Sequence, residues 1–214
     1  MKARDYSVLL VDGCDVVRAG YHRFLEAQPS IRVVAETCLG KEAYRLYGEV
    51  KPDIVVMDFG LNGMSGLEAS RRIISRYPDA CILAVSVHNS SILAERALQL
   101  GVLGYITKSI SPRLFIDAIT KVASGVCYVD SEIAQSYTIN RIRGGAEPLM
   151  GLSPREFEVF RLFAEGKAPH EIAALLDLSE KTVANYTSKI KKKLNIATTA
   201  GMAHLAIRSG VIVV

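Results

Sequence analysis

The sequence predicts an α/β domain built on a parallel sheet, followed by a small all-α domain. Three observations carry that expectation. Five short β-type runs alternate with amphipathic helical stretches over the first 125 or so residues, all periodicity stops near residue 143, and the last 64 residues carry helix signals only.

The β-type runs are Tyr6–Val11, Ile31–Glu36, Ile54–Met57, Cys81–Ser86 and Val102–Thr107. Between and after them lie helical patterns at Val16–Ala27, Lys41–Glu49, Gly66–Arg76, Ile92–Leu100 and Pro112–Ser124. Nearly continuous apolar runs such as Ser7–Val11 imply strands buried on both faces. The expected fold is thus a flavodoxin-like (βα)5 unit with strand order 2-1-3-4-5, its ligands lying beyond the carboxyl ends of strands 1 and 3. Residues 130–142 read as one more helix, and Arg143–Gly151 reads as the linker. The expected boundaries are 1–126, 127–150 for helix plus linker, and 151–214.

Half of the 214 residues are hydrophobic, which is ample material for a core. The net charge of +4 is mild, and its distribution says more. Residues 151–214 carry 9 basic against 6 acidic side chains, and Lys189, Lys191, Lys192 and Lys193 sit together. That pattern suits a local nucleic-acid footprint. The four cysteines are scattered and form no CxxC or Cys/His pair, so no zinc site is expected. With no signal peptide or long apolar span, a cytoplasmic protein with reduced thiols and no membrane partner is expected.

Strand 1 ends at Asp12, strand 3 at Asp58, strand 4 at Ser86 and strand 5 at Thr107-Lys108. A doubly wound sheet brings these ends to one edge, and two acids, a hydroxyl and an ammonium there suit Mg2+ binding and acceptance of a phosphoryl group. Pro52-Asp-Ile-Val-Val-Met-Asp58, Gly63-Met-Ser-Gly66-Leu-Glu and Gly104-Tyr-Ile-Thr-Lys108 resemble the receiver domain of two-component response regulators. The resemblance implies Asp58 as phosphoacceptor, with Asp12, Asp58 and Gly60 (through its carbonyl) as metal ligands. It implies Ser86 and Lys108 as phosphoryl binders and Tyr105 as an aromatic switch. The partner would be a sensor histidine kinase.

One position departs from that family. Receivers carry a second acidic residue directly after the first, and here it is Gly13. Cys14, Asp15 and Asn62 are further departures around the same site. Mg2+ needs near-octahedral oxygen ligands, so loss of a carboxylate predicts weak or absent Mg2+ binding unless Asp15 swings inward; N-capping is its simpler job. Two modes follow. Either phosphorylation of Asp58 adds roughly −1.5 to −2 charges and draws Ser86 and Tyr105 inward, or the domain works without phosphorylation, through constitutive dimerisation or by binding a partner or ligand.

The C-terminal stretch opens with Ser153, Pro154 and Glu156, which read as N-cap, first helical proline and capping-box partner. Ile172, Ala173, Leu175 and Leu176 mark a second helix, Asp177-Leu178 a tight corner, and Ser179 the N-cap of a third. At 3.6 residues per turn, Val183, Ile190 and Leu194 share one side of that helix. Lys181, Asn185, Ser188 and Lys192 share the other. Together these stretches resemble the LuxR-type helix-turn-helix of the NarL/FixJ family. That resemblance places Ala184, Asn185 and Ser188 against bases, with Thr182, Lys189 and Lys192 on the DNA backbone. Met202, Leu205, Ala206 and Ile207 lie on a final helix that serves the core, a dimer interface or both.

The expected function is that of a bacterial transcriptional regulator, a homodimer on paired half-sites of double-stranded DNA. A protein-interaction adaptor is the rival without DNA. An enzyme is not expected: Gly60 stands where a phosphatase of similar fold needs its second aspartate, and there is neither a P-loop nor a G-x-S-x-G motif.

Overall fold

In a computed structural model, residues 5–212 are described except 62, 88 and 143–147. Asn62 and most of the expected linker therefore lie outside the described residues. The chain divides into two compact units, one formed by residues 1–87 and 97–131, the other by 88–96 and 132–214.

The first unit is a parallel sheet of β1 (Tyr6–Val11), β2 (Ile31–Thr37), β3 (Ile54–Asp58), β4 (Ile82–Ser86), β5 (Gly104–Thr107) and β6 (Tyr128–Val129). Its order is β2-β1-β3-β4-β5-β6, so the expected 2-1-3-4-5 arrangement holds and a sixth strand extends it. β6 pairs with β5 through Gly104↔Tyr128 and Tyr105↔Val129. Its two residues are too few for a period-2 pattern to register. α1 (Asp15–Glu26), α2 (Gly40–Val50), α3 (Gly66–Arg76) and α5 (Pro112–Ala123) alternate with the strands, and α4 (Ser91–Gln99) is divided between the units. Val8, Leu10, Ile54, Val56, Leu83, Val85 and Ile106 form the buried centre with Phe115 and Ile119 of α5.

α3 begins where only glycine fits. A Cβ on Gly66 would stand 2.1 Å from the Asp58 carbonyl oxygen, so the missing side chain lets the helix start directly against the end of β3.

The second unit holds α6 (Ser131–Ile142), a 3-10 turn (Pro148–Gly151), α7 (Pro154–Ala164), α8 (Pro169–Leu176), α9 (Glu180–Leu194) and α10 (Thr199–Arg208). The capping box of α7 forms as expected: Glu156 N–H donates to Ser153 Oγ (3.3 Å) and Ser153 N–H to Glu156 Oε2 (2.7 Å). Asp177 turns the α8–α9 corner at φ 54°, a left-handed position that Asp tolerates better than most side chains. Val183 and Ile190 of α9, Met202 and Ala206 of α10, and Phe157 and Phe160 of α7 are fully buried. Within this unit the Arg96 guanidinium lies 4.0 Å from the centre of the Phe157 ring and donates to the carbonyls of Leu149 and Leu152. Burial lowers its pKa to about 10.

Candidate functional site

Sheet register builds the first site. Val11 pairs with Met57, so Asp12 and Asp58 leave neighbouring strands at the same level, and Ser86 pairs with Thr107, one residue before Lys108. Asp12 and Asp58 are both buried. Lys108 bridges them, its Nζ 2.7 Å from Asp12 Oδ2 and 3.1 Å from Asp58 Oδ2. Backbone amides complete the arrangement. Gly60 N–H donates to Asp58 Oδ1 (2.8 Å), Gly13 N–H to Asp58 Oδ2 (3.3 Å) and Cys14 N–H to Asp12 Oδ1 (2.8 Å). All four carboxylate oxygens thus accept from donors of the chain itself. Burial disfavours the Lys108 ammonium, but the bond to Asp12 and the charge of Asp58 outweigh it and raise its pKa.

Ser86 and Tyr105 belong to the same edge. Tyr105 is fully buried, meets Phe59 edge-on at 5.8 Å between ring centres, and hydrogen-bonds Ser86 through its hydroxyl. Burial pushes that hydroxyl up to about 12. The inward position of the aromatic ring is therefore satisfied by the protein's own atoms.

Asp15 does not play the parts expected of it. It is the first residue of α1, Cys14 is the N-cap, and the Asp15 carboxylate is exposed and bonded to Arg18 at 2.8 Å. Arg18 in turn donates to the Asp12 carbonyl (2.9 Å), which holds Asp15 outward and leaves Gly13 without a substitute carboxylate. A basic partner three residues on decides this, as i,i+3 ion pairs on a helix surface do.

The second site lies on α9. Lys181, Ala184, Asn185, Ser188, Lys189 and Lys192 are all exposed and form one unbroken stripe at helical spacing. The Ser188 hydroxyl donates to the Ala184 carbonyl (3.1 Å), which leaves its oxygen lone pairs facing outward. Thr182 stands apart: it is half-buried, and its hydroxyl pairs with Ser179 Oγ at 2.9 Å. Lys193 leaves the basic cluster as well. Its Nζ donates to Glu156 Oε2 (2.7 Å) and to the Gly151 carbonyl (3.3 Å), tying α9 to the capping box of α7. Sequence reasoning grouped it with its neighbours because a lysine's partner 37 residues upstream leaves no periodic trace.

A buried parallel-sheet pocket of two acids, a hydroxyl and a lysine, with a separate unit presenting a basic helix, is the arrangement of a regulator that acts on nucleic acid. Comparison with known proteins agrees. Residues 8–120 match the family described as response regulator receiver domain, and residues 150–206 match the bacterial regulatory proteins of the luxR family. The chain is 37% identical over 206 residues to the response regulator UvrY of Escherichia coli K12, covering 95% of this chain and 94% of that one. It is 33% identical over 207 residues to the response regulator GacA of Pseudomonas aeruginosa, covering 96% and 97%. Among solved structures, a LuxR-family two-component response regulator from an Aurantimonas species is 40% identical over 64% of this chain and 99% of its own, with a TM-score of 0.63. RcsB of Salmonella enterica serovar Typhimurium, bound to promoter DNA with a phosphomimetic, shares the fold at 22% identity and a TM-score of 0.73, over 94% of this chain and 98% of its own. The protein is a response regulator of the LuxR-type (NarL/FixJ) family, with a receiver domain and a helix-turn-helix DNA-binding domain that regulates transcription.

Receiver domains generally bind Mg2+ at this acidic pocket. Asp12 and Asp58 are the two carboxylates at this edge that would hold it. Among the described residues no group of three or more His, Cys, Asp or Glu side chains is placed to hold a metal, and an ammonium bridges the two carboxylates that are there.

Proposed function

We propose that this regulator reads DNA through the exposed stripe of α9, and that the unbroken solvent-facing row from Lys181 to Lys192 is the observation that carries the reading. Ala184, Asn185 and Ser188 face base edges: Asn185 suits adenine, and Ala184 suits a thymine methyl. Lys181, Thr182, Lys189 and Lys192 meet phosphates, Thr182 through whatever its half-buried hydroxyl can spare. Ile207 on α10 is exposed, beside the exposed His204 and Arg208, and offers an apolar contact for a homodimer on paired half-sites. Action on a bacterial promoter places the protein in the cytoplasm.

At the receiver, Asp58 is the phosphoacceptor. One of its oxygens would attack the phosphorus of a donor such as a kinase phosphohistidine or acetyl phosphate, forming an acyl phosphate as the donor's bond to phosphorus breaks. Ser86 and Lys108 would hold the new oxygens. Mg2+, with Asp12, Asp58 and Gly60 as its ligands, binds weakly or not at all because Gly13 supplies no carboxylate. A second reading, in which DNA binding does not wait for phosphorylation, is favoured by the buried Tyr105–Ser86 pair.

Two measurements test these readings. Affinity for a random-sequence duplex should fall with salt, and Lys189→Ala or Lys192→Ala should each reduce the log–log slope by about 0.9. Association insensitive to salt would leave the adaptor reading. Intact mass after acetyl phosphate should show an adduct that Asp58→Ala abolishes; no adduct from folded, DNA-binding protein would establish the phosphorylation-independent mode.

A further inference from the structure

The short strand β6 brings one carboxylate to the phosphoryl-binding edge that no expectation placed there. Asp130 directly follows β6 and lies beyond residues 8–120, the span matched to receiver domains. Its N–H donates to the Tyr105 carbonyl at 3.0 Å, and its Oδ2 accepts from Thr107 Oγ1 at 3.2 Å. Thr107 Oγ1 also lies 2.9 Å from Ser109 Oγ. A threonine hydroxyl has one hydrogen and an ionised carboxylate only accepts, so directions are fixed: Ser109 donates to Thr107, and Thr107 to Asp130. Thr107 is buried, so its hydroxyl has little access to water as an alternative partner. On the other side of the strand end, Lys108 N–H donates to the Ser86 carbonyl at 2.7 Å.

We infer that Asp130 is a positioning residue for the phosphoryl-binding end of β5, holding Thr107 and Ser109 on either side of Lys108. Lys108 is thereby fixed from two directions. The Ser86 carbonyl holds its amide, and the Ser109–Thr107–Asp130 chain holds its flanking residues. The Nζ can then span Asp12 and Asp58 without the strand end drifting. This inference rests on the reading of Lys108 as a phosphoryl-binding group.

The test uses the full chain and four variants: Asp130→Ala, Thr107→Val, their double, and Asp130→Asn, which keeps an acceptor oxygen. Amide hydrogen exchange at residues 106–110 and the rate of adduct formation from acetyl phosphate are both measured. Asp130→Ala and Thr107→Val should each speed exchange and slow labelling by about five- to ten-fold, the scale of one hydrogen bond. The double variant should add little to either single change, and Asp130→Asn should recover most of the loss. Wild-type exchange at 106–110 in both single variants would overturn the inference, as would an additive double variant or faster exchange throughout β1 and α5. If the wild-type protein forms no adduct, the phosphoacceptor reading fails while the exchange data still decide the role of Asp130.

Discussion

Two lysines of this chain, Lys108 and Lys192, show how burial assigns a charge its task. Lys108 is largely enclosed and committed to two carboxylates, whereas Lys192 stands in solvent. The buried ammonium offsets charge that would otherwise push β1 and β3 apart. The exposed one is free to displace counterions from a phosphate. Lys193, next in sequence to Lys192, has been drawn into the first kind of role by Glu156. Residue type alone does not separate these cases; what each ammonium faces does.

The comparison can be broken most forcefully at the pocket. Lys108→Met leaves Asp12 and Asp58 buried without their counter-ion and should destabilise the protein by about 3 kcal/mol, the order seen when one partner of a buried pair is removed. Urea unfolding measures this, and an unchanged midpoint would mean that Lys108 is not the counter-ion. Next in size is Asn185→Ala, which should cost about 1–3 kcal/mol on a selected operator and relax discrimination at one base pair. Equal loss on all sequences would move Asn185 to the backbone contacts.

Smaller effects sharpen the contrast within α9. Lys193→Ala should lower stability by under about 1 kcal/mol, because the pair is partly exposed, and should leave the salt slope unchanged. Lys192→Ala should do the reverse, and a matched pair of binding and melting curves tells them apart.

The two ends of the pH scale should act on different groups. Burial opposes the Glu156 charge, but bonds from Lys193 and Ser153 outweigh it and hold its pKa below the ordinary value. Its stabilisation is therefore present above the unfolded pKa and lost as pH falls through the lower folded one. Lys108 is shifted upward, so its contribution is present below the unfolded lysine value and lost as pH rises through the higher folded one. Acid should loosen the α7 cap and alkali the pocket, which residue-resolved exchange can follow.

Much of this was legible in the sequence. Apolar runs ending in Asp12, Asp58, Ser86 and Lys108 fix a parallel sheet and the residues at its edge, because register follows from burial on both faces. The caps of α7 and α9 were legible because Ser153, Pro154, Glu156 and Ser179 act over three or four residues. Features that depend on distant partners were not. Arg96 carries no signal of its role in the sequence, because its guanidinium is buried over Phe157 and bonded to carbonyls more than 50 residues away. β6 fell in the unassigned residues before an expected helix and Asp130 at the start of that helix, and the outward turn of Asp15 depends on where Arg18 finds its second acceptor.

Lys108, rather than a metal, is proposed to balance the pocket because Gly13 brings no carboxylate. A Cβ at Gly13 would meet Leu61 Cδ2 at 3.6 Å and Asp58 Oδ2 at 3.8 Å, both ordinary contacts, so a side chain can start there beside the Asp58 carboxylate. The most direct measurement is the melting temperature of wild-type and Gly13→Asp protein across a Mg2+ titration at constant ionic strength. The wild-type curve should stay flat. The variant should gain stability with Mg2+, about 2.7 kcal/mol once the ion reaches a hundred times its dissociation constant. A wild-type protein that gains as much as the variant would contradict the claim and return the pocket to an ordinary metal-dependent receiver.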